Sequence, residues 1–294
     1  MYNSATSIRL IDKKRKYTLS KLISFIGKNP ILNWILVVVY YAIAVLPHEQ
    51  VGVWIAKNIM KPLGRDMYNH RMFMIAAIGI GLYALVVLWN IFKKKKHIQW
   101  IPFIYLFVNI GLAIASWHFL FVFNVEAIHF LQYAILSILL FPLFRRYGET
   151  LFWCTLLGAI DEAYQYFYLS PNRTDYYDFN DIILDLIGAA FGLILIRSFS
   201  PLLRKATKWY RSGVFYCSMG LTLLIGLLYG LGKLRFYPDE AHSNAWLLVK
   251  KIPEGFWTTL KPVVFHIVQP LEGMLIIICL LVGFSFLDRS VGVE

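Results

Sequence analysis

The sequence is poor in charged residues and in cysteine. Charged residues make up 16% of the 294-residue chain, against about 25% in soluble domains, and this argues against an ordinary soluble fold. The three cysteines, Cys154, Cys217 and Cys279, fall in apolar stretches and have neither paired nor metal-type spacing. They therefore predict neither a disulfide framework nor a redox site.

Familiar hydrolase motifs are also missing. The chain has no Gly-x-Ser-x-Gly nucleophile elbow and no His-Glu-x-x-His zinc motif. The first apolar run begins near Ile31 and is not followed by a small-residue cleavage site. That pattern is typical of an uncleaved first span and not of a signal peptide.

The sequence is rich instead in nearly uncharged runs of about 20 residues, each long enough to cross a bilayer as a helix. We predict an all-α, polytopic transmembrane helix bundle with about eight spans. The spans are expected at Pro30–Leu46, Met72–Phe92, Trp100–Phe123, Ile128–Phe144, Leu151–Leu169, Ile182–Ser198, Val214–Gly232 and Val263–Leu287. Val51–Arg71 and Ala241–Pro262 mix apolar and basic residues, which predicts interfacial amphipathic helices.

The net charge of +12 favours a membrane over nucleic acid, because the basic residues cluster between the spans. Placing the amino terminus inside puts most Lys and Arg in the inner segments, as the positive-inside rule requires. Both termini are then cytoplasmic, and the lipid bilayer is the expected partner, with no nucleic acid. The predicted divisions are a basic head (1–29), three spans (30–123), a three-span core (124–198), a basic loop (199–213) and two final spans (214–287).

Acidic residues concentrate on the other side of the membrane. In the predicted orientation only Asp12, Glu149, Asp288 and Glu294 lie on the inner side. Acids of the fifth and sixth spans share roughly one depth, because those spans run antiparallel through a short loop. A carboxylate in mid-membrane costs about 2.5–3.5 kcal/mol on insertion scales. We therefore expect these side chains to face the bundle interior or a wet cavity.

Helical spacing places several of these acids together. Asp181 and Asp185 lie at i and i+4 on one face, and Glu162 and Gln165 are neighbours at i and i+3. So many acids cannot all be ionised at close range, so either some stay protonated or a cation joins them. The alternative interpretation is that the buried polar groups only hold the helices together.

The candidate site has two sets of residues. The candidate acid–base residues are Glu162, Asp181 and His129, and the candidate substrate-binding residues are Arg173, Gln165, Asp178, Asp185 and Asp161. The planar guanidinium of Arg173 suits a carboxylate or a phosphate. A divalent metal on these oxygens is conceivable, but no spacing demands one, and no cofactor is assigned. The sequence leaves open whether Glu272 and His266 join the site.

The same residues resemble the core signature of VanZ-like membrane proteins. The signature consists of Glu162-Ala-Tyr-Gln165, then Arg173, then Asp181-x-x-x-Asp185-x-x-Gly188-x-x-x-Gly192, with His129 opening the preceding span. The likeness covers Glu126 to Arg197. Asp185 stands where an Asn is usual in the family, and no Lys accompanies Glu126 where the family has an acid–lysine pair.

The resemblance implies a bacterial plasma-membrane protein with a role at the outer face of the cell envelope. The founding member of the family is associated with low-level teicoplanin resistance in Gram-positive bacteria. Three functions are open: acid–base chemistry on a lipid-linked or headgroup substrate, with Arg173 as its clamp, non-enzymatic binding of an envelope lipid or peptide carboxylate, and proton-coupled transport. Transport is the least favoured, because the chain shows no inverted repeat and no broken helix pair at mid-membrane.

Overall fold

The computed structural model describes residues 29–93, 100–169, 171, 175–199, 209–260 and 263–288. Those residues are mostly helical, which confirms the predicted class. The main helices are α1 (Pro30–Tyr40), α2 (His48–Ile55), α3 (Arg65–Phe92), α4 (Trp100–Phe119), α5 (Ile128–Phe144), α6 (Tyr147–Tyr164), α7 (Phe179–Ser198), α8 (Gly213–Gly230) and α9 (Pro270–Ser285).

Seven helical runs in the described residues are long and apolar enough to cross a membrane. They are Pro30–Leu63, Arg65–Phe92, Trp100–Phe119, Asn124–Phe144, Phe179–Ser198, Gly213–Gly230 and Pro270–Asp288. At the remaining predicted span, Leu151–Leu169, the chain forms the helix α6, which includes Glu149, Asp161 and Glu162 and is not among these seven runs. The count of eight spans and the orientation of the termini stay predictions.

The first helical run extends further than the predicted end at Leu46. A π-helical turn at Tyr41–Val45 precedes Pro47, and the helix resumes as α2. Proline has no N–H to donate, and Pro47 accordingly stands at the N-cap position of α2. The predicted helical character of Val51–Arg71 is confirmed on both sides of a break at Gly64, which has a φ of +80°.

Helix α7 is the centre of the bundle. In the most apolar stretch of 18 residues in α7, 89% of the residues are buried, whereas the corresponding stretches of the other six runs are 44% buried or less. Gly188 and Gly192 place its backbone directly on α5. A Cβ on Gly188 would lie 2.7 Å from the carbonyl oxygen of His129, and one on Gly192 would collide with the carbonyl oxygen of Ala134 and Oγ of Ser137. The small residues therefore permit close helix contact.

The segment between α8 and α9, residues 231–269, is called the cap segment. Its strands are β1 (Leu234–Arg235), β2 (Trp246–Leu247), β3 (Thr258–Leu260) and β4 (Val263–Phe265), with β1 parallel to β2 and β3 antiparallel to β4. The helix predicted at Ala241–Pro262 is therefore wrong over its described residues, 241–260, and the last helix starts at Pro270 and not at Val263. Pro253 and Gly255 oppose a helix here.

The cap segment is hydrogen-bonded to the connection between α6 and α7. Tyr177 N donates to the carbonyl oxygen of Leu248 at 2.7 Å, and Lys250 N donates to that of Asp175 at 2.7 Å. The hydroxyl of Tyr166 donates to the carbonyl oxygen of Leu247 at 2.8 Å. These contacts place the cap segment at the end of the bundle where the acids of α6 and α7 lie, which we call the acidic end.

At the opposite end, Asp288 caps a helix that begins 141 residues earlier. Its Oδ1 accepts from Tyr147 N at 2.7 Å and its Oδ2 from Gly148 N at 3.3 Å. Arg146 lies 3.4 Å from the same carboxylate. The side chain thus satisfies N–H groups that the first turn of α6 leaves unpaired.

Removing this cap should destabilise the fold measurably. Asp288→Ala is expected to lower the free energy of unfolding by about 1–2 kcal/mol, the usual cost of losing an N-cap. Thermal unfolding of the purified protein in detergent measures the change. Glu240→Ala, at an exposed position of the cap segment, is the control and should leave stability unchanged. Equal stability of the two variants would contradict the capping role.

Candidate functional site

The site is organised around His129 at the start of α5. Its Nδ1 lies 2.7 Å from Oδ1 of Asp185, and its Nε2 lies 3.7 Å from Oδ2 of Asp181. His129 is 4% and Asp185 1% exposed, whereas the side chain of Asp181 is 21% exposed. A carboxylate that holds one imidazole nitrogen fixes the orientation of the ring and leaves the other nitrogen for proton transfer.

Close helix packing brings these two residues together. The contact of Gly188 with the backbone of His129 sets the separation of α5 and α7. Gly158 makes room on the third side, because a Cβ there would lie 2.5 Å from Oδ2 of Asp185. The three helices therefore converge on the carboxylate of Asp185.

Helix α6 supplies a second acidic pair. Gln165 Nε2 donates to Oε1 of Glu162 at 2.9 Å and to Oδ2 of Asp161 at 3.2 Å. Both acids are buried, at 4% and 1% exposure. Glu162 and Gln165, predicted from their spacing to be neighbours, are thus in contact, and the Gln165 amide donates to two carboxyl groups.

Asp178 has a structural role at the start of α7. Its Oδ1 accepts from Asn180 N at 3.0 Å and from Asp181 N at 3.2 Å, so it is the N-cap of the helix. Burial, and next the neighbouring carboxylate of Asp181, raise the pKa of Asp178 to about 8. Its predicted contact with substrate stays a prediction. Arg173 lies outside the described residues.

Sequence reasoning missed the residues that brace α6 beside the acids. The Tyr41 hydroxyl donates to the carbonyl oxygen of Leu157 at 2.8 Å, and the Tyr177 hydroxyl donates to that of Ala159 at 2.6 Å. The chain contains 18 tyrosines, and no spacing distinguishes these two. Only the contacts of the π-helical turn after α1 and of the α6–α7 connection with α6 reveal them.

Glu126, which the sequence places close to His129, holds its own turn together. Its carboxylate accepts from Val122 N at 3.1 Å and from Phe123 N at 3.0 Å. The contact shapes the 3₁₀ turn at Asn124–Ala127 that leads into α5. The residue therefore fixes where His129 enters the bundle.

His266 and Glu272 form a pair of their own, at the junction of the cap segment and α9. His266 Nε2 lies 2.8 Å from Oε2 of Glu272. The pair is linked to α7 through Asn180, whose Nδ2 donates to the carbonyl oxygen of His266 at 2.7 Å and whose Oδ1 accepts from Val268 N at 2.9 Å. The sequence left open whether Glu272 and His266 join the site. In the structure they form a neighbouring pair that is linked to the site through Asn180.

Chemically, the arrangement is suited to proton transfer. An imidazole held by one acid and facing another can take a proton from a bound group or give one to it. Asp181, the more exposed of the two carboxylates, lies where such a group would arrive. Within the residues that the structure describes, no group of three or more His, Cys, Asp and Glu side chains could hold a metal ion.

Comparison with known proteins places the chain in a family. No curated protein and no solved structure matches the chain. The model of the VanZ/LLP1 family matches residues 32–204. That range is more than half of the chain, and it contains every candidate residue of the acidic end, from His129 to Asp185. The chain therefore belongs to the VanZ/LLP1 family.

Proposed function

We propose that the chain performs acid–base chemistry on the polar headgroup of a lipid or lipid-linked precursor at the outer face of the bacterial membrane. The contact of His129 Nδ1 with Asp185 at 2.7 Å carries the proposal, because it directs Nε2 toward Asp181. A pair so arranged is a competent general acid or base. The membrane character and the family of the chain support the setting.

Each candidate residue then has a role. His129 and Asp181 exchange a proton with the substrate, and Glu162 is the second acid–base group. Asp185 orients the imidazole. The remaining polar residues, Asp161, Gln165, Asp178 and Arg173, would position the headgroup, with the Arg173 guanidinium as the clamp for a phosphate or carboxylate.

Charge along α5 supports an outward-facing site. His129 lies at its start, and Arg145 and Arg146 follow its end. Under the positive-inside rule the arginines are cytoplasmic, so His129 and the acids face outward. A substrate displayed on the outer leaflet can then reach Asp181. Tolerance to teicoplanin is the expected consequence for a Gram-positive host.

Two glutamates at opposite ends of α6 provide a matched test. Wild type, Glu162→Gln and Glu149→Gln are expressed at equal membrane abundance in a teicoplanin-sensitive Gram-positive host. Wild type and Glu149→Gln should raise the inhibitory concentration, and Glu162→Gln should match the empty vector, because only Glu162 lies at the acidic end. Full tolerance in the Glu162→Gln strain would show that Glu162 is not needed for the activity. No tolerance in the wild-type strain would show that the protein does not confer teicoplanin tolerance.

A non-enzymatic binder is the second candidate. It is favoured by the hydrogen bonds from Gln165 to Asp161 and Glu162, because these polar groups then bond to one another and not to a reacting group. Mass spectrometry of envelope lipids and glycan precursors separates the two. An enzyme changes their composition, and His129→Ala abolishes the change. A binder gives tolerance with no change in composition.

A further inference from the structure

A cavity of about 540 Å³ opens beside the first turn of α9. It lies in the part of the chain beyond the family match, which ends at residue 204. Its walls include Tyr237, Ile252, Phe256, His266, Gln269 and Glu272. The volume and the mainly apolar lining with a few polar groups are those of small-ligand sites.

The polar wall of the cavity is held in one arrangement. His266 Nδ1 lies 2.7 Å from the carbonyl oxygen of Phe256, which can only accept, so Nδ1 carries a hydrogen. The imidazole also stacks on the Phe256 ring, with centroids 4.0 Å apart. The ring is thereby fixed, and its Nε2 faces the carboxylate of Glu272, at 2.8 and 3.0 Å from the two oxygens.

The exposed fractions of His266 and Glu272 show which of the two side chains a ligand contacts first. His266 is 8% exposed, whereas the side chain of Glu272 is 38% exposed. An incoming polar group therefore meets the carboxylate first, with the imidazole behind it. Glu272 also accepts from Gln269 N at 3.2 Å, which anchors it to the start of the helix. The carboxylate is thus both accessible and fixed.

The residues around the mouth of the cavity are of the kind found at the boundary between lipid and water. Helix α9 enters its apolar span at Pro270. Ile252, Phe256 and Trp257 beside the cavity are 56%, 54% and 45% exposed. Exposed aromatic side chains at the start of a span are typical of the headgroup level of a bilayer. Lipid headgroups are therefore the molecules closest to this opening.

We propose that this cavity binds the ammonium headgroup of a membrane lipid. An ammonium group has three donors, which the oxygens of the accessible Glu272 carboxylate can accept, while Nε2 of His266 is already paired with that carboxylate. The aromatic rings of Phe256 and Tyr237 also favour a cation. Among the described lining residues no Lys or Arg would favour an anionic headgroup. The apolar part of the lipid follows Ile252 and Phe256. This inference is independent of the proposed function.

The test is competition in nanodiscs. Full-length protein is reconstituted with equal amounts of phosphatidylethanolamine and phosphatidylglycerol, and retained lipid is measured by native mass spectrometry. Wild type should retain phosphatidylethanolamine about tenfold more strongly, the size of one charge-assisted hydrogen bond. Glu272→Gln should lose this preference, and the control Glu240→Gln should keep it. An unchanged preference in Glu272→Gln, or a preference for phosphatidylglycerol in wild type, overturns the proposal.

A second variant guards against a folding defect. Phe256→Ala keeps the backbone carbonyl that holds His266 but removes an apolar wall, so it should weaken phosphatidylethanolamine binding several-fold with unchanged thermal unfolding. Unchanged retention of phosphatidylethanolamine by Phe256→Ala would contradict lipid binding in this cavity. Soluble glycerophosphoethanolamine is added in a separate arm. If it competes as well as the lipid, the ammonium contact stands but a membrane-lipid ligand is excluded.

Discussion

Replacing His129 with Gln is expected to abolish the proposed acid–base activity of the acidic end. The imidazole is the group that links Asp185 to Asp181, at 2.7 and 3.7 Å, and an amide cannot exchange a proton near neutral pH. General acid–base groups contribute about 10²–10⁴-fold to rates, so teicoplanin tolerance should fall to that of a host without the gene. Susceptibility and envelope lipid composition, at equal membrane abundance, measure the effect.

Asp185 should tolerate one substitution and not another. Asp185→Asn keeps an oxygen that accepts from Nδ1–H of His129, and Asn is the usual residue at this position of the family signature, so most of the activity should remain. Asp185→Ala leaves a buried imidazole without its acceptor and is expected to lose activity and about 1–3 kcal/mol of stability. The control is Thr155→Val, a buried change on α6, which should leave activity and stability unchanged.

For the first prediction, equal activity of His129→Gln and wild type would refute the acid–base role of His129.

The largest effect on stability is expected from Gly192→Leu. A Cβ at this position would collide with the carbonyl oxygen of Ala134 and with Oγ of Ser137. Backbone contact leaves no room for a side chain, so α5 and α7 must separate, and the cost should reach or exceed the about 1–3 kcal/mol of ordinary overpacking. The separation also withdraws His129 from Asp185.

The measurement is thermal unfolding in detergent together with membrane abundance. Gly81→Leu on α3 is the matched control, because nothing lies within 4 Å of the Cβ it would add. Gly192→Leu should unfold at a much lower temperature, and Gly81→Leu should resemble wild type. Similar unfolding temperatures for the two variants would show that α5 and α7 are not in backbone contact at Gly192.

The C-terminal part of the chain completes the bundle, although it lies outside the family match. The Tyr105 hydroxyl of α4 donates to the carbonyl oxygen of Gly283 in α9 at 2.6 Å. Gly273 of α9 is in close contact with the ring of Phe179, which opens α7. With Asp288 capping α6, α9 contacts the helices that carry the acids. The site therefore depends on residues that the family signature does not include.

The sequence alone predicted most of the helices and the residues of the candidate site. Hydrophobic runs are a local property, so the predicted limits Ile128–Phe144 agree with α5. Helical periodicity likewise placed Gln165 beside Glu162, as the structure shows. The family signature includes both His129 and Asp185, and the structure places the two side chains in contact.

Only the tertiary structure decided which distant groups meet. His129 and Asp185 are 56 residues apart, and their contact depends on how closely Gly188 lets two helices approach. The cap segment was predicted to be helical because its composition resembles an interfacial helix, yet its backbone pairs as strands and bonds to the α6–α7 connection. The pair of His266 and Glu272 follows from that fold. Such pairings depend on where remote backbone lies, and local composition carries no record of it.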